Sequence, residues 1–219
     1  MTILEAIQQR HSVRSYINKP IDRDTLNELH ALVKECNHES GLRIQMVVDE
    51  PKAFDSKWAH YGKFSGVSNY FAMIGPKHSR LDETIGYYGE RLVLKAQMLG
   101  LNTCWVGLTY KKIPDVLHIT DGMKLRCVIA FGYGANQGVS HKSKELSNVV
   151  KVKGTMPDWF RNGVQAALLA PTAINQQKFK FILHADNRVE AKAGLGFFSK
   201  VDLGIVKYHF DIGSGRITC

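Results

Sequence analysis

The chain has 219 residues, a size that suits one large domain or two small fused halves. Its 44% hydrophobic content is ample for a packed core, and no apolar run reaches the roughly 18 residues of a membrane span. The N-terminus lacks the apolar region of a secretory signal, so we expect a cytoplasmic globular protein with no membrane partner.

The formal net charge of +9 would attract polyanions such as nucleic acid, anionic lipid or a phosphate-bearing cofactor. The basic residues occur in short groups between core-like segments, and there is no long basic tail. This distribution favours a pocket or a solvated basic surface, so we expect no nucleic-acid partner.

Neither the cysteines nor the histidines have metal-ligand spacing. Cys36, Cys104, Cys127 and Cys219 form no CxxC pair, and the nine histidines form no HExxH pattern. We therefore expect buried, reduced thiols and no zinc site.

The first predicted elements are two helices. Thr2 and Glu5 fit a capping box for a short helix over residues 3–9. Asp22 is a suitable N-cap for a second helix, which should end near residues 37–41.

The next elements alternate between strands and helices. Residues 42–49 and 70–75 are predicted strands of one sheet. A long helical pattern covers residues 81–99, with Gly100 at the position of a C-cap glycine. Another apolar segment follows at residues 103–108.

A short helix led by Pro114 and a strongly β-prone run at residues 125–133 complete the first half. The polar, basic stretch of residues 134–147 is typical of a loop. A helix over residues 157–169 then opens the second half.

A predicted strand over residues 179–184 and a helical or mixed pattern over residues 203–210 follow. The order helix, polar turn, strand in residues 22–49 recurs in residues 157–185. This recurrence indicates an internal duplication, with halves at residues 1–150 and 151–219.

The segment QRHSVRSY at residues 9–16 carries cationic and hydroxyl side chains. In an extended chain Arg10, Ser12 and Arg14 project to one side, where they could grip one phosphate. The alternative interpretation is an exposed basic loop.

The segment APTAINQQKF at residues 170–179 follows a helix and is rich in amides. Asn175, Gln176 and Gln177 can both donate and accept hydrogen bonds, which suits the edge of a heteroaromatic ring. Taken alone, the segment is more typical of a turn that ends a helix than of a binding loop, because Pro171 stops the helical pattern.

Five segments together resemble the FMN-dependent nitroreductase family. They are QRHSVRSY at 9–16, GLNTCWVGL at 100–108, VIAFGYGA at 128–135, HKSK at 141–144 and APTAINQQKF at 170–179. The resemblance implies an α+β fold in which helices flank a central, mostly antiparallel sheet.

One departure from the usual family pattern concerns the APTAINQQKF-like segment. In most members it follows the second helix and reaches FMN bound mainly by the partner subunit, but here residues 37–41 lack that pattern. The chain therefore resembles a single-chain subgroup with a truncated second repeat in the same chain. This implies one FMN site per chain, formed between the halves, and leaves a monomeric state open.

The resemblance also implies roles for named residues. Ligands of the phosphate and ribityl chain would be Arg10, His11, Ser12 and Arg14, helped by Lys142 and Lys144. The isoalloxazine ring would lie against Pro171, Thr172, Ala173 and Asn175 on one side and the backbone of Val106 and Gly107 on the other. Contacts to the pyrimidine end of the ring stay open among Lys63, Ser65 and Asn69.

The chain shows no convincing nucleophile, metal site or paired carboxylates, so the flavin would carry the chemistry. The predicted function is an FMN-dependent NAD(P)H oxidoreductase with two-step, ping-pong hydride transfer. The acceptor would be electron-poor: a nitroaromatic, a quinone or a flavin. The alternatives are a flavin-binding sensor or carrier with little turnover, and a nucleic-acid-binding protein that uses the positive charge.

Overall fold

The computed structural model describes residues 1–217, apart from the side chains of Trp58 and His60. The described chain divides into two compact units, each built from separate segments. The four-stranded unit comprises Arg10–Leu81 and Leu92–Val139. The three-stranded unit comprises Met1–Gln9, Asp82–Arg91 and the chain from Ser140 onward.

The helices and strands follow one another in the order below. The α-helices are α1 Ile3–Gln9, α2 Arg23–Ser40, α3 Lys57–Tyr61, α4 Leu81–Met98, α5 Leu146–Val149, α6 Asp158–Leu168 and α7 Ser199–Ser214. The strands are β1 Gln45–Val47, β2 Tyr70–Pro76, β3 Asn102–Val106, β4 Met123–Gly132, β5 Val150–Val152, β6 Phe179–Leu183 and β7 Val189–Ala193.

The four-stranded unit is organised around an antiparallel sheet of order β1-β2-β4-β3. The central strand β2 is buried along almost its whole length because its residues Tyr70–Ile74 are apolar on both faces. Phe71 and Phe131 stack at 4.3 Å between ring centroids. The sheet therefore gives β3 a rigid position at one edge.

The ends of α2 follow directly from the sequence. Asp22 Oδ1 accepts a hydrogen bond from Thr25 N at 2.8 Å, as the N-cap prediction requires. Gly41 adopts a left-handed conformation at φ 73° and donates its N–H to Asn37 O. Both predicted ends of this helix are confirmed.

In the three-stranded unit, β5 pairs with β6 in parallel and β6 pairs with β7 in antiparallel orientation. Helices α6 and α7 pack closely because two glycines lack side chains. A Cβ added at Gly163 would lie 2.7 Å from the Phe210 ring, and one added at Gly213 would lie 2.5 Å from Ala166 Cβ. The ring of Phe210 stacks on Phe181 of β6 at 4.5 Å, which attaches α7 to the sheet.

The first turns of α4 also belong to this unit and cross α7. A Cβ added at Gly86 would lie 2.0 Å from Val201 O, and one added at Gly204 would lie 2.0 Å from Glu83 O. The backbones of the two helices can approach this closely only with glycine at both positions.

Beside this crossing, Glu90 Oε1 and His209 Nε2 lie 2.8 Å apart with both side chains fully buried.

Most predicted elements are confirmed, and two expectations need correction. The short helix predicted at Pro114 is a single turn in which Leu117 N donates to Ile113 O, because the chain turns again at Gly122 to enter β4. The strand predicted over residues 42–49 is only Gln45–Val47. Of the two interpretations of residues 203–210, helical or mixed, the helical one is confirmed by the helix Ser199–Ser214.

The α+β prediction with a mostly antiparallel sheet is confirmed. The division into repeats at residue 150 stays a prediction, since the compact units group the chain by contact and not by ancestry. Within residues 1–217 no helix combines the length and apolar character needed to cross a membrane. Over the same residues, no three His, Cys, Asp or Glu side chains are grouped as a metal site would require.

Candidate functional site

The basic segment, residues Arg10–Tyr16, is extended and lies beside β3 in the four-stranded unit. Val13 N donates to Thr103 O at 3.0 Å, and Ser12 and Thr103 form a parallel bridge. On its other edge, Tyr16 N donates to Ser65 O at 2.9 Å. Backbone pairing on both edges fixes the direction of the side chains.

The cationic and hydroxyl side chains of this segment act on one buried thiol, that of Cys104. Burial raises the pKa of the Cys104 thiol, while the charges of Arg14 and Arg10 and a hydrogen bond with Ser12 act to lower it. The three side chains therefore lie within electrostatic reach of one point at the edge of β3. This agrees with the predicted alternation of Arg10, Ser12 and Arg14 along the segment.

The exposure of the two arginines differs. Arg10 is only 3% exposed, whereas Arg14 reaches solvent and its guanidinium carbon lies 5.9 Å from the Phe64 ring centroid. A buried guanidinium has fewer rotamers to lose when it binds an anion, so Arg10 is the better preorganised of the two.

His11 lies against the loop that follows β4. A Cβ added at Gly138 would lie only 2.8 Å from His11 Cβ, and Gly138 has a left-handed φ of 71°. The loop is anchored where Gly134 N donates to Asn102 Oδ1 at 3.0 Å. The Cβ of His11 therefore packs against Gly138 of this loop.

Val106 and Gly107 lie at the end of β3, the strand that pairs with the basic segment. Val106 is the last residue of β3, and its buried side chain belongs to the core. Gly107 is half-buried just beyond the strand end. Any ligand contact here would be made by the backbone, as the sequence predicted.

The structure separates the three residues left open for the pyrimidine end. Asn69 is buried, and its side chain accepts from Asp49 N at 3.1 Å and donates to Phe131 O at 3.5 Å. Ser65 is exposed and donates its hydroxyl to Ser15 Oγ at 2.9 Å, next to Arg14. The amide of Asn69 thus forms hydrogen bonds with the protein backbone, and Ser65 and Lys63 remain the candidates for contacts to the pyrimidine end of the ring.

A cavity of about 500 Å³ opens beside Ser65. Its lining includes the aromatic residues Phe54 and Phe64 and the acidic residues Asp49 and Asp55. Phe64 therefore both lines the cavity and neighbours the Arg14 guanidinium.

In the three-stranded unit, the loop of residues 171–177 is built around the amide of Gln177. Gln177 is 3% exposed, and its Nε2 donates to Lys142 O at 2.9 Å and to Asn175 Oδ1 at 2.8 Å. Its Oε1 accepts from Lys144 N at 2.8 Å. One buried amide thus joins the loop to the basic segment HKSK.

The HKSK segment is fixed at the end of α6. His141 Nε2 lies 2.9 Å from Leu168 O, and Ser143 Oγ donates to the same oxygen at 3.0 Å. Lys144 Nζ donates to Gln177 O at 2.9 Å, while the Lys142 side chain is exposed. Part of the hydrogen-bonding capacity of Lys144 is therefore used within the protein.

The same loop holds three non-glycine residues in the left-handed region. The φ angles are 48° at Ile174, 55° at Asn175 and 44° at Gln177. This conformation costs about 1–2 kcal/mol for each ordinary L residue, and Ile is β-branched. Such strain persists only where the surroundings impose it, and it is concentrated at binding sites.

A buried carboxylate on α7 holds this loop from the other side. Asp202 is 3% exposed, and its Oδ1 accepts from Ala173 N at 2.9 Å while its Oδ2 accepts from Gln176 Nε2 at 2.7 Å. Burial raises the pKa of Asp202 to about 6, although both hydrogen bonds act to lower it. Gln176 Nε2 also donates to Phe197 O at 2.8 Å.

Each unit thus brings one group of sequence-predicted residues together. The four-stranded unit holds Arg10, His11, Ser12, Arg14, Val106 and Gly107 around the edge of β3. The three-stranded unit holds Lys142, Lys144, Pro171, Thr172, Ala173 and Asn175 around Gln177. That one flavin takes contacts from both groups stays a prediction.

Sequence reasoning missed the roles of Gln177 and Asp202. Gln177 was recognised as one of several amides, but nothing in the sequence distinguishes the buried amide from its neighbours. Asp202 carries one weak signal, an acidic side chain in an otherwise apolar stretch of α7.

The comparisons with known proteins agree on one family. A family model described as "Putative TM nitroreductase" matches residues 2–214. No curated protein matches the chain.

Solved structures share the fold over most of the chain. A "putative nitroreductase" from Thermotoga maritima superposes with a TM-score of 0.68 at 21% identity, covering 97% of this chain and 83% of that chain. A "putative nitroreductase in complex with FMN" from Desulfovibrio desulfuricans gives a TM-score of 0.55 at 16% identity, with coverages of 72% and 99%. A "Putative NADH dehydrogenase/NAD(P)H nitroreductase" from Bacteroides thetaiotaomicron gives 0.53 at 18% identity, with coverages of 67% and 95%. The predicted nitroreductase-like fold is confirmed.

Proposed function

The chain belongs to the nitroreductase family whose model covers residues 2–214, and from that premise we propose that it is an FMN-dependent NAD(P)H oxidoreductase. The observation that carries the proposal is the extended course of the basic segment beside β3, where Arg10, Ser12 and Arg14 all act on the buried Cys104 thiol. Two related folds support it by their descriptions, one with bound FMN and one named for NADH and NAD(P)H.

The chemistry of this donor set fits a phosphate group. Two guanidinium groups offer planar, charged donors that match phosphate oxygens, and the Ser12 hydroxyl adds a third donor. Backbone pairing on both edges of the segment prearranges the three side chains, which lowers the entropy cost of binding. The phosphate of FMN is the group we assign to them, with His11 beside them.

The second group of residues suits a flat heteroaromatic ring. The loop of residues 171–177 offers a strained, well-held backbone together with the Asn175 amide. We assign Pro171, Thr172, Ala173 and Asn175 to the isoalloxazine ring, with Lys142 and Lys144 as supporting cations. Val106 and Gly107 contribute backbone.

When bound, FMN would supply the two-electron chemistry that the side chains lack. The chain's own residues bind, orient and shield that group. A site that stacks rings discriminates weakly among flat, electron-poor acceptors, so nitroaromatics, quinones and flavins form the proposed acceptor class. NADH or NADPH is the proposed donor, and the cytoplasm is the proposed location.

We also assign the chain to the single-chain subgroup, with a truncated second repeat that takes the place of a partner subunit. The reciprocal crossing of α4 and α7 at Gly86 and Gly204 supports this assignment. One FMN per chain and a monomeric state are the corresponding expectations.

The testing experiment is a visible absorption spectrum of the protein after incubation with FMN and desalting, before and after anaerobic NADH or NADPH. We expect one retained flavin per chain whose absorption bands bleach within seconds of donor addition. Flavin that is retained but not bleached would favour a carrier or sensor, and flavin that is not retained would overturn the proposal.

Variants connect the result to the residues. Arg14→Gln should lower flavin retention, because it removes a charged donor from the phosphate group. Arg23→Gln, which removes an exposed cation at the start of α2, is the matched control and should retain flavin as the unmodified protein does.

A further inference from the structure

The loop of residues 171–177 adopts a conformation that its sequence does not favour. Ile174, Asn175 and Gln177 all have positive φ, and only asparagine tolerates that region well. Ile174 is also 96% exposed, so burial of its side chain does not stabilise this conformation. Other contacts, within the loop and from outside it, therefore hold this conformation.

One of those contacts is ionisable and buried. Both oxygens of Asp202 are directed at the loop, one to the backbone N–H of Ala173 and the other to the side-chain amide of Gln176. These two donors flank Ile174, the first of the positive-φ residues. Asp202 therefore fixes the loop on both sides of the strained position.

The position of Asp202 in the first turn of α7 raises the question of helix capping. The residue before this helix is Phe198, which has a left-handed φ of 58° and provides no side-chain cap. The hydrogen bonds that act on the Asp202 carboxylate come from Ala173 and Gln176 of the loop. The carboxylate thus serves the loop and not the end of its own helix.

We propose that Asp202 is a positioning residue that holds residues 172–176 in the shape required to bind the flavin ring. The inference rests on the proposed function, because that function assigns the ring to Thr172, Ala173 and Asn175. It adds a role for a residue that belongs to none of the motifs that carry the family resemblance.

A carboxylate suits this role better than an amide of the same size. Ala173 N and Gln176 Nε2 are both donors, so the side chain at position 202 must accept twice. An asparagine would accept from one and direct its own NH₂ at the other. Gln176 cannot simply rotate its amide to adapt, because its Nε2 also donates to Phe197 O.

The experiment compares Asp202→Asn with the unmodified protein and with Asp158→Asn, a control at an exposed acid in the first turn of α6. Three quantities are measured: the FMN dissociation constant by fluorescence quenching, the visible circular dichroism of bound FMN, and hydrogen exchange at residues 170–178 without FMN. Far-UV circular dichroism reports whether α7 is retained.

For Asp202→Asn we expect FMN affinity to fall about tenfold, as the loss of one charge-assisted hydrogen bond predicts. We also expect exchange of the Ala173 amide to accelerate by about the same factor, with an altered visible dichroism and unchanged helix content. The control should match the unmodified protein in all three quantities.

A second variant keeps the inference testable if Asp202→Asn folds poorly. Gln176→Met removes the other half of one contact from a more exposed position, and it should also weaken FMN binding and accelerate exchange in the loop. In the double variant the two losses of FMN affinity should be less than additive, since both substitutions disturb the contact between Asp202 Oδ2 and Gln176 Nε2.

The outcomes separate the two proposals. Unchanged FMN affinity and loop exchange in a folded Asp202→Asn protein would overturn the positioning role and leave the proposed function intact. The positioning role would also be overturned if Asp202→Asn lost FMN affinity together with helix content while Gln176→Met left FMN binding and loop exchange unchanged. Failure of the unmodified protein to bind FMN would overturn the proposed function and this inference with it.

Discussion

Gly86 of α4 and Gly204 of α7 face each other in a reciprocal contact. A Cβ on Gly86 would meet the carbonyl oxygen three residues before Gly204, and a Cβ on Gly204 would meet the carbonyl oxygen three residues before Gly86, each at 2.0 Å. The following residues are reciprocal as well, with Ile205 N at 2.9 Å from one position and Tyr87 N at 2.6 Å from the other. Reciprocity of this kind is what a local two-fold axis produces.

This relationship supports a duplicated chain. The order helix, strand, strand, helix describes α6, β6, β7 and α7, and it also describes α2, β1, β2 and α4 apart from the short helix α3 between the two strands. In both series the two strands pair antiparallel, and the glycine at the crossing lies in the last helix. The two helices that cross are thus equivalent members of the two proposed repeats.

The crossing predicts a matched pair of stability losses. Gly86→Ala and Gly204→Ala should each destabilise the protein by about 2–3 kcal/mol, because the added methyl group would overlap a backbone oxygen that cannot move aside. Urea unfolding would measure both losses. Lys200→Ala, at an exposed position in the first turn of α7, is the control and should change stability little. Stable, unchanged Ala variants would contradict the close crossing.

The buried pair of Glu90 and His209 predicts strong energetic coupling. His209 Nδ1 lies 3.1 Å from Ala166 O, which can only accept, so Nδ1 carries a proton and Nε2 faces Glu90. Removal of either side chain takes this contact from a polar group that stays buried, at a cost of about 3–5 kcal/mol. A double-mutant cycle would measure this coupling. The loss in free energy of unfolding for the double variant Glu90→Ala with His209→Ala should be smaller than the sum of the two single losses by at least about 1 kcal/mol. Additive losses would refute the coupling.

The raised pKa of Asp202 predicts a pH-dependent contribution to stability. The folded protein binds this proton more tightly than the unfolded chain, because the pKa is about 6 in the fold and 3.8 in the reference state. The contribution is therefore fully present below about pH 4 and is lost as the pH rises through about 6, a change of about 2–3 kcal/mol.

Asp202→Asn isolates this effect because asparagine does not titrate. Urea unfolding of both proteins at pH 4 and pH 7 should show the variant gaining stability relative to the unmodified protein as the pH rises. A stability difference that is the same at both pH values would show that Asp202 does not titrate in this range.

The assignment of the phosphate predicts a ligand preference. Ser12→Ala and Arg14→Gln should weaken FMN binding by about tenfold or more, because each removes a donor to a charged oxygen. Riboflavin lacks the phosphate, so its weaker binding should change little in the same variants. Titration by fluorescence quenching measures both ligands. Equal losses for FMN and riboflavin would place the phosphate elsewhere.

The sequence predicted those parts of the fold that depend on local signals. The cap at Asp22, the left-handed Gly41 and the apolar run of β2 each act over a few residues, so a pattern suffices to find them. The weakly patterned strand β7 was missed because its half-buried residues depend on pairing with β6. Tertiary contacts decide such elements, and no local rule contains them.

The site shows the same division. The extended course of Arg10–Tyr16 and the amide-rich loop near Asn175 could be recognised from composition and motif. The reach of Asp202 across to Ala173 could not, since it links positions 29 residues apart by way of helix packing. Positive φ at Ile174 was equally hidden, because a β-branched residue gives no signal of that conformation.

The assembly of the three-stranded unit from separate segments has a consequence for protein synthesis. Helix α1 leaves the ribosome long before α7, yet the two helices pack against each other. The segment Asp82–Arg91 likewise cannot pack until α7 has been synthesised, because Gly86 contacts α7 at Gly204. This unit can therefore close only after α7 has been synthesised, and nascent chains that stall before residue 199 would leave the apolar faces of α1 and α4 available to chaperones.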